Sequence, residues 1–259
     1  MASSNSSMVR KIFNRANLMI LSFVFGPRLN VEKHDLNLVR LGTAYDGWTF
    51  VDLPNLRNAR IISCGLGEEG SFDLAFAAKY NARVLMVDPT PRAIKYFNDT
   101  IITQGVDGAF ELCAKALWKA RETLRFYAPP DASHVSHSII NFQNAYKNDT
   151  AFIEVEAITI SDLMEQYGIE TIPLLKLDIE GAEIEVVQDM LAKRVFPDQL
   201  LIEYDELTFP SPRAKSRIEG CHNALAAAGY RLVNWDKPNN LLYVKSDLGG
   251  SPSSAGATR

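Results

Sequence analysis

Short apolar runs alternate with longer stretches of helical spacing along most of this chain, the rhythm of parallel strands joined by crossover helices. The runs Ile61–Cys64, Val84–Val87, Phe110–Leu117, Leu174–Asp178 and Gln199–Tyr204 predict core strands, and Ile153–Ile160 alternates like a strand as well. Helical spacing covers Phe72–Tyr80, Pro91–Gly105, Ser161–Tyr167 and Arg213–Ala228, while Ile184, Val187 and Leu191 mark the inner face of one more helix. Pro91 opens its helix and Gly105 closes it, Thr159 and Asp162 have the spacing of a cap, and Gly168 is a stop. Tyr230–Trp235 and Leu241–Lys245 flank Pro238-Asn239-Asn240, which predicts a closing hairpin. The pattern predicts an α/β fold: a Rossmann-like sheet, mostly parallel with an antiparallel C-terminal hairpin strand, and helices on both faces.

Upstream of this series, Val9, Ile12, Phe13, Ala16, Met19, Ile20 and Phe23 recur at helical spacing, with Arg10, Lys11 and Arg15 among them. The expected organisation is an N-terminal helical extension over 1–44, the α/β domain over 45–246, and a flexible Gly/Ser tail over 247–259. The apolar run Leu18–Phe25 is too short to span a bilayer, and Gly26-Pro27-Arg28 is no small-x-small cleavage site. Packing on the domain is the favoured reading of that helix; contact with a membrane surface through residues 9–25 is the lesser one.

Composition narrows the function classes. A 259-residue chain that is 47% hydrophobic can bury one sizeable core. Lys+Arg 27 against Asp+Glu 31 leaves a net charge of −4, which is no footprint for a phosphate backbone, so nucleic acid is not an expected partner. Cys64, Cys113 and Cys221 are odd in number and sit in apolar or helical segments. They read as small core residues in a reducing, cytoplasmic compartment. Residues 128–150 form a long polar loop with His134 and His137, of the length that is more often functional than idle.

Two blocks carry chemistry. In the first, Ile61-Ile62-Ser63-Cys64-Gly65-Leu66-Gly67-Glu68 followed by Val84-Leu85-Met86-Val87-Asp88 reads as one βαβ nucleotide-binding half. Gly65 and Gly67 let the backbone turn sharply beside a ligand at the positive end of the next helix. Asp88, at the end of the second strand, is placed to accept from both hydroxyls of a ribose. Gly70 completes a bare Gly-x-Gly-x-x-Gly, yet Glu68 and Glu69 stand inside that turn. Two carboxylates repel a pyrophosphate and suit a sulfonium and an ammonium group, which favours S-adenosylmethionine over NAD. A ligand-free turn is a third reading.

The second block is Leu174-Leu175-Lys176-Leu177-Asp178-Ile179-Glu180-Gly181-Ala182-Glu183. A central parallel strand is usually apolar on both faces, whereas here Lys176, Asp178 and Glu180 alternate with Leu175, Leu177 and Ile179. Ligands of open α/β sheets lie beyond the carboxyl ends of strands, where Asp178 and Glu180 emerge. The competing reading is structural: Glu180 and Glu183 complement a helix dipole, and Lys176 pairs with Asp178 inside the core. Asp178 with Glu203 or Asp205 could also offer oxygen ligands to Mg²⁺, but the chain lacks a tight ligand motif and no metal is expected.

The run Leu175–Glu183 resembles the Lys-hydrophobic-Asp-hydrophobic-Glu-Gly-Ala-Glu signature of FkbM-type methyltransferases. Ser63–Glu69 with Phe72-Asp73, and Val87-Asp88-Pro89-Thr90-Pro91, are similar to cofactor-binding segments of one branch of that family. Ala114–Trp118, Arg125-Phe126-Tyr127 and Ser136–Ile139 follow in its usual order, so that the likeness covers residues 45–245. It implies a class I methyltransferase sheet, S-adenosylmethionine as methyl donor, and a hydroxyl of a small molecule or glycan as acceptor. Carried over, the cofactor-binding positions are Gly65, Gly67, Glu68, Asp88, Pro89 and Ala116. This chain departs from the pattern with Ser63, where many members carry aspartate, and with Glu68-Glu69 in the turn. An alcohol acceptor must lose a proton, for which Asp178 is the first candidate base, with Glu180, His137 or His134 as substitutes. The rival readings are an NAD-linked oxidoreductase and a catalytically silent cofactor-binding protein.

Overall fold

The computed structural model describes residues 21–44, 47–128, 139, 150–236 and 238–248. His134, His137, the tail from 249 and most of the amphipathic segment 9–25 lie outside the described residues. In chain order the strands are β1 (Leu38–Leu41), β2 (Trp48–Val51), β3 (Arg60–Cys64), β4 (Arg83–Val87), β5 (Phe110–Cys113) and β6 (Ala116–Leu117). They continue as β7 (Thr123–Tyr127), β8 (Phe152–Ile158), β9 (Leu175–Leu177), β10 (Gln199–Glu203), β11 (Tyr230–Asp236) and β12 (Asn240–Lys245). The helices are α1 (Ser71–Tyr80), α2 (Pro91–Tyr96), α3 (Ile102–Gln104), α4 (Ile160–Tyr167), α5 (Glu183–Ala192) and α6 (Pro212–Ala227).

Seven strands form the central sheet in the order β11-β12-β10-β9-β3-β4-β5. Every neighbouring pair from β10 to β5 is parallel, and β12 runs antiparallel between β10 and β11. This is the class I methyltransferase sheet expected from the sequence. Strand order reverses at β3, so the crevice between the carboxyl ends of β3 and β9 is where such a sheet admits a ligand.

Both faces are covered. Ile62, Cys64, Leu85, Leu175, Leu177, Leu200 and Ile202 point to one side, against Leu163 of α4, Ile184 and Val187 of α5, and Ile218 and Leu225 of α6. Ile61, Val84, Met86 and Leu201 point to the other side, against Phe72 and Phe76 of α1 and Trp48 and Phe50 of β2. There Phe50 packs on Phe72, Phe76 and Tyr80 with ring centroids 6.1, 5.3 and 5.9 Å away. Aromatic pairs at such distances add roughly 0.5–1.5 kcal/mol each beyond their buried area. The three cysteines are buried and unpaired, as small core residues.

Three expectations change. The boundary at residue 45 falls inside a hairpin, because β1 pairs with β2 across it, Arg40 opposite Thr49. The buried amide of Gln199 ties β2 to the sheet by accepting from Val51 N at 2.8 Å and donating to Val51 O at 3.0 Å. Upstream, His34 donates from Nε2 to Val233 O (2.8 Å) and accepts from Leu36 N at Nδ1 (3.1 Å), fastening the segment before β1 to β11. Among the described residues up to 44, helix covers only 21–25 and strand only 38–41. Next, Phe110–Leu117 is two strands in two sheets, since β6 leaves the main sheet to pair with β8. Finally, the helix over Pro91–Gly105 is interrupted by a π turn at Phe97–Ile101. Thr159 and Asp162 do form a capping box on α4, and Gly168 ends it in the left-handed region. Among the described residues no helix is long and apolar enough to cross a membrane.

Candidate functional site

A cavity of about 840 Å³ opens at the carboxyl edge of the sheet. Its wall includes Gly65, Leu66, Gly67, Glu68 and Glu69 from the turn after β3, Asp88, Pro89 and Thr90 after β4, and Ala116 and Leu117 of β6. Asp178, Ile179 and Glu180 after β9, Glu203 and Asp205 at β10, and Asp236, Asn239 and Asn240 of the last hairpin complete it, with Arg40 of β1 and Ala44 just beyond it. All six expected cofactor-binding positions and both Asp178 and Glu180 therefore share one wall; the placement of His137 is outside the described residues.

The glycine turn is fixed from two sides. Gly65 has φ +85°, and a Cβ there would lie 1.7 Å from the carbonyl oxygen of Asp178. The need for glycine at 65 is thus set by the neighbouring strand end, and not only by space for a ligand as the sequence suggested. Beneath it, buried Lys176 donates to Gly65 O (2.9 Å) and to Asp178 Oδ2 (3.3 Å), and its ammonium stands 5.1 Å from the ring centre of Trp48. One buried cation thereby holds the turn, the strand end and β2 together. Ser63, the departure from the family pattern, lies buried, and its hydroxyl helps to lower the carboxyl of buried Asp73 in α1. Burial raises the Asp73 carboxyl, and the charge of Lys176 opposes the rise.

Asp88 is not an open acceptor. Its Oδ2 receives Leu66 N and Gly67 N at 3.0 Å each, and its Oδ1 receives Thr90 N at 2.9 Å and Thr90 Oγ1 at 2.7 Å. Two oxygens with four donors have no lone pair to spare for two ribose hydroxyls. The task of Asp88 in this structure is to shape the turn. Glu68 lines the cavity but is already engaged, because Arg92 Nε donates to its Oε1 at 3.0 Å. That hydrogen bond holds its carboxyl below the usual range. Glu69 lines the same wall, and its Oε1 is buried and has no hydrogen-bond partner.

The strand ends of β9 and β10 are different. Glu180 takes φ +55°, a left-handed conformation rare outside glycine, and Gly181 follows at +96°. Glu183 makes that bend possible: fully buried, it receives Ile179 N (2.9 Å) and Gly181 N (3.2 Å) on Oε1. Of the signature's acids, then, Glu183 is scaffold while Asp178 and Glu180 face the cavity. Glu183 Oε2 and Asp205 Oδ2 are buried without partners. Burial and the charge of Glu206 push Glu183 well above the carboxylate range. Burial, then the charges of Glu183, Glu180 and Asp178, push Asp205 up to about 11. Glu203 is raised to about 8 by burial and by Asp178, with Lys176 and the Asn239 amide pulling the other way. Asn239 Nδ2 donates to Glu203 Oε1 at 2.6 Å. Among the described residues no group of three or more His, Cys, Asp or Glu is placed to hold a metal ion.

Sequence reasoning raised Glu203 and Asp205 only as metal ligands, although the rule that singled out Asp178 applies equally to the next strand. Arg40 and Asp236 were missed because no motif marks them, while Phe126 and Asn239 were noted only for the family order and the hairpin turn and not as lining residues.

Residues 59–232 match the Methyltransferase FkbM domain, and the chain belongs to that family. The match takes in β3, the glycine turn, the acidic block and β10. No curated protein matches the chain. Among solved structures it is similar to a Methanococcus jannaschii fibrillarin pre-rRNA processing protein, at 10% identity and TM-score 0.42, over 86% of this chain and 88% of that one. It is also similar to an SAH-bound methyltransferase of Podospora anserina, PaMTH1, at 12% identity and TM-score 0.35, over 72% and 70%. A third likeness is to M. jannaschii TYW2 in complex with AdoMet, at 8% identity and TM-score 0.34, over 83% and 87%.

Proposed function

We propose that this methyltransferase-family protein uses S-adenosylmethionine to methylate a hydroxyl of a sugar, glycan or small metabolite. The observation that carries the reading is one cavity in which the family's glycine turn and acidic strand ends meet, with buried Glu69 Oε1 unpartnered in its wall. A cavity lined by eight acidic side chains, of which Glu203 and Asp205 are raised to about 8 and about 11, fits a ligand bearing a sulfonium and an ammonium, and repels a pyrophosphate. The sheet also ends in an antiparallel hairpin where a dinucleotide fold would add a second nucleotide half.

When bound, the cofactor supplies an electrophilic methyl group. The turn Gly65–Gly67, Pro89 and Ala116 would form its wall, and Glu69 would accept from its ammonium. Polar Asp236, Asn239 and Asn240 line the hairpin end of the cavity and suit a hydroxylated acceptor. Glu203 is the better proton acceptor. Asp178, the first candidate from sequence, is held against Lys176 at 3.3 Å, whereas Glu203 is fixed through one oxygen by Asn239. A carboxyl near 8 is basic enough to take an alcohol proton in the transition state and still partly ionised at neutral pH. Asp178 would then orient the acceptor, and Glu180 would face it. The test is calorimetric binding of S-adenosylmethionine, followed by a screen of hydroxylated acceptors for S-adenosylhomocysteine. A folded protein that binds no S-adenosylmethionine ends the reading, and binding without turnover on any hydroxylated acceptor removes its O-methyl part.

A further inference from the structure

Arg40 is the one cationic side chain in the cavity wall among the described residues, which it shares with eight acidic side chains. Its guanidinium is weakly engaged: Nη1 lies 3.5 Å from Asp236 Oδ2 and Nη2 lies 3.5 Å from Ala44 O. Hydrogen bonds to charged groups are normally shorter by more than half an ångström, so neither contact holds it firmly. Space is kept for it, since a Cβ on buried Gly47 would fall 2.8 Å from Nη2 and 2.9 Å from Cζ. The same segment is moored beside the glycine turn, where Thr43 N donates to Ser71 Oγ at the start of α1 (2.9 Å). Glu69, two residues before Ser71, carries the unpartnered buried Oε1. A loosely held cation and the acid Glu69 thus line one cavity, the complement of a zwitterion.

We propose that Arg40 is the counter-ion for the carboxylate at the aminoacyl end of S-adenosylmethionine. The assignment rests on the cofactor reading above and adds to it which residue receives the cofactor's negative charge. A carboxylate entering a wall of acids is otherwise repelled, and Lys176 is committed behind the wall to Gly65 O and Asp178. On binding, the guanidinium would leave Asp236 and take the ligand carboxylate with both of its terminal nitrogens, the geometry for which arginine is suited.

The experiment compares S-adenosylmethionine with its decarboxylated analogue, by calorimetry, on the parent and on Arg40→Gln and Arg40→Lys. The parent is expected to prefer the intact cofactor about tenfold or more, the scale of a hydrogen-bonded charge pair at a partly exposed site. Arg40→Gln should lose that preference while binding the decarboxylated analogue as the parent does, and Arg40→Lys should keep part of it. A general loss of structure would weaken both ligands alike, so the ratio separates recognition from stability. A parent that binds both ligands equally, or an Arg40→Gln variant that keeps the preference, overturns the Arg40 assignment and leaves the cofactor reading standing. A parent that binds neither ligand overturns both.

Discussion

At the glycine-turn rim of the cavity Asp88 receives four hydrogen bonds and Glu68 is held by Arg92, whereas at the strand-end rim Glu203 receives one, from Asn239, and Asp205 Oδ2 receives none. Both rims are acidic and both stand at strand ends, but their carboxylates are in opposite conditions. A carboxylate whose lone pairs are filled by the backbone acts as a structural strut. One that is buried with lone pairs open must hold a proton, meet a cation or take part in chemistry. Acidity alone therefore does not locate the reactive group; the donors around each acid do.

The largest expected effect comes from breaking the strut side. Gly65→Val places side-chain atoms against the Asp178 carbonyl, 1.7 Å from where a Cβ would stand, at a φ of +85° that valine avoids. The loss should exceed about 4 kcal/mol, seen as a melting temperature lowered by roughly 10 °C or more, or as no folded protein at all. A variant that melts like the parent and merely loses cofactor would show that the turn is shaped by the ligand and not by the neighbouring strand.

On the reactive side, Glu203→Gln keeps the shape and the Asn239 contact but removes the base, so turnover should fall about 10²- to 10⁴-fold with S-adenosylmethionine affinity little changed. The parent's kcat should rise with pH through about 8, where Glu203 becomes a carboxylate. Stability runs the opposite way. A carboxyl raised from 4.5 to about 8 keeps in the fold a proton that the unfolded chain releases. Its stabilising contribution is complete below 4.5 and disappears as pH rises through about 8. Melting temperature should fall over that window in the parent and fall less in Glu203→Gln. A pH-independent kcat, or the larger turnover loss in Asp178→Asn, would return the base to Asp178.

Smaller is the effect of Asp88→Ala, which frees Leu66 N, Gly67 N, Thr90 N and Thr90 Oγ1 together. Partial rehydration limits the loss to about 1.5–3 kcal/mol, the range for hydrogen bonds to a charged acceptor. Urea unfolding should show it with no cofactor present. If stability is unchanged and only cofactor affinity drops, Asp88 is a ribose ligand after all and the strut description fails.

These distinctions mark where the sequence is legible. Apolar periodicity placed β3, β4, β9, β10 and the closing hairpin, because burial on both faces demands it of each strand. It missed β1, a four-residue strand of mixed exposure whose partner lies across a short hairpin. Strand-end reasoning led to Asp178 and Glu180, yet it could not tell scaffold from reactive acid. Glu180 and Glu183 look alike in the signature, and only the Ile179 and Gly181 amides on Glu183 make it the strut. Arg40 reaches the cavity through tertiary pairing alone, which no local spacing encodes.

Glu68 and Glu69 give the smallest and most discriminating test, since adjacent residues of one type carry the contrast between the two rims within a single turn. Glu68 is exposed and paired with Arg92, and surface pairs of that kind contribute little to stability or binding. Glu69 keeps a buried, unpartnered oxygen in the same cavity wall. If sequence position decided function, Glu68→Gln and Glu69→Gln would weaken S-adenosylmethionine binding equally, as two charges beside one sulfonium. If the open lone pair decides it, Glu69→Gln should weaken binding by about tenfold through the lost ammonium contact, and Glu68→Gln should leave it within error. Decisive against the comparison would be the reverse order in calorimetry, because Arg92 would then have to release Glu68 to the cofactor, and a filled acceptor would have proved to be the functional one.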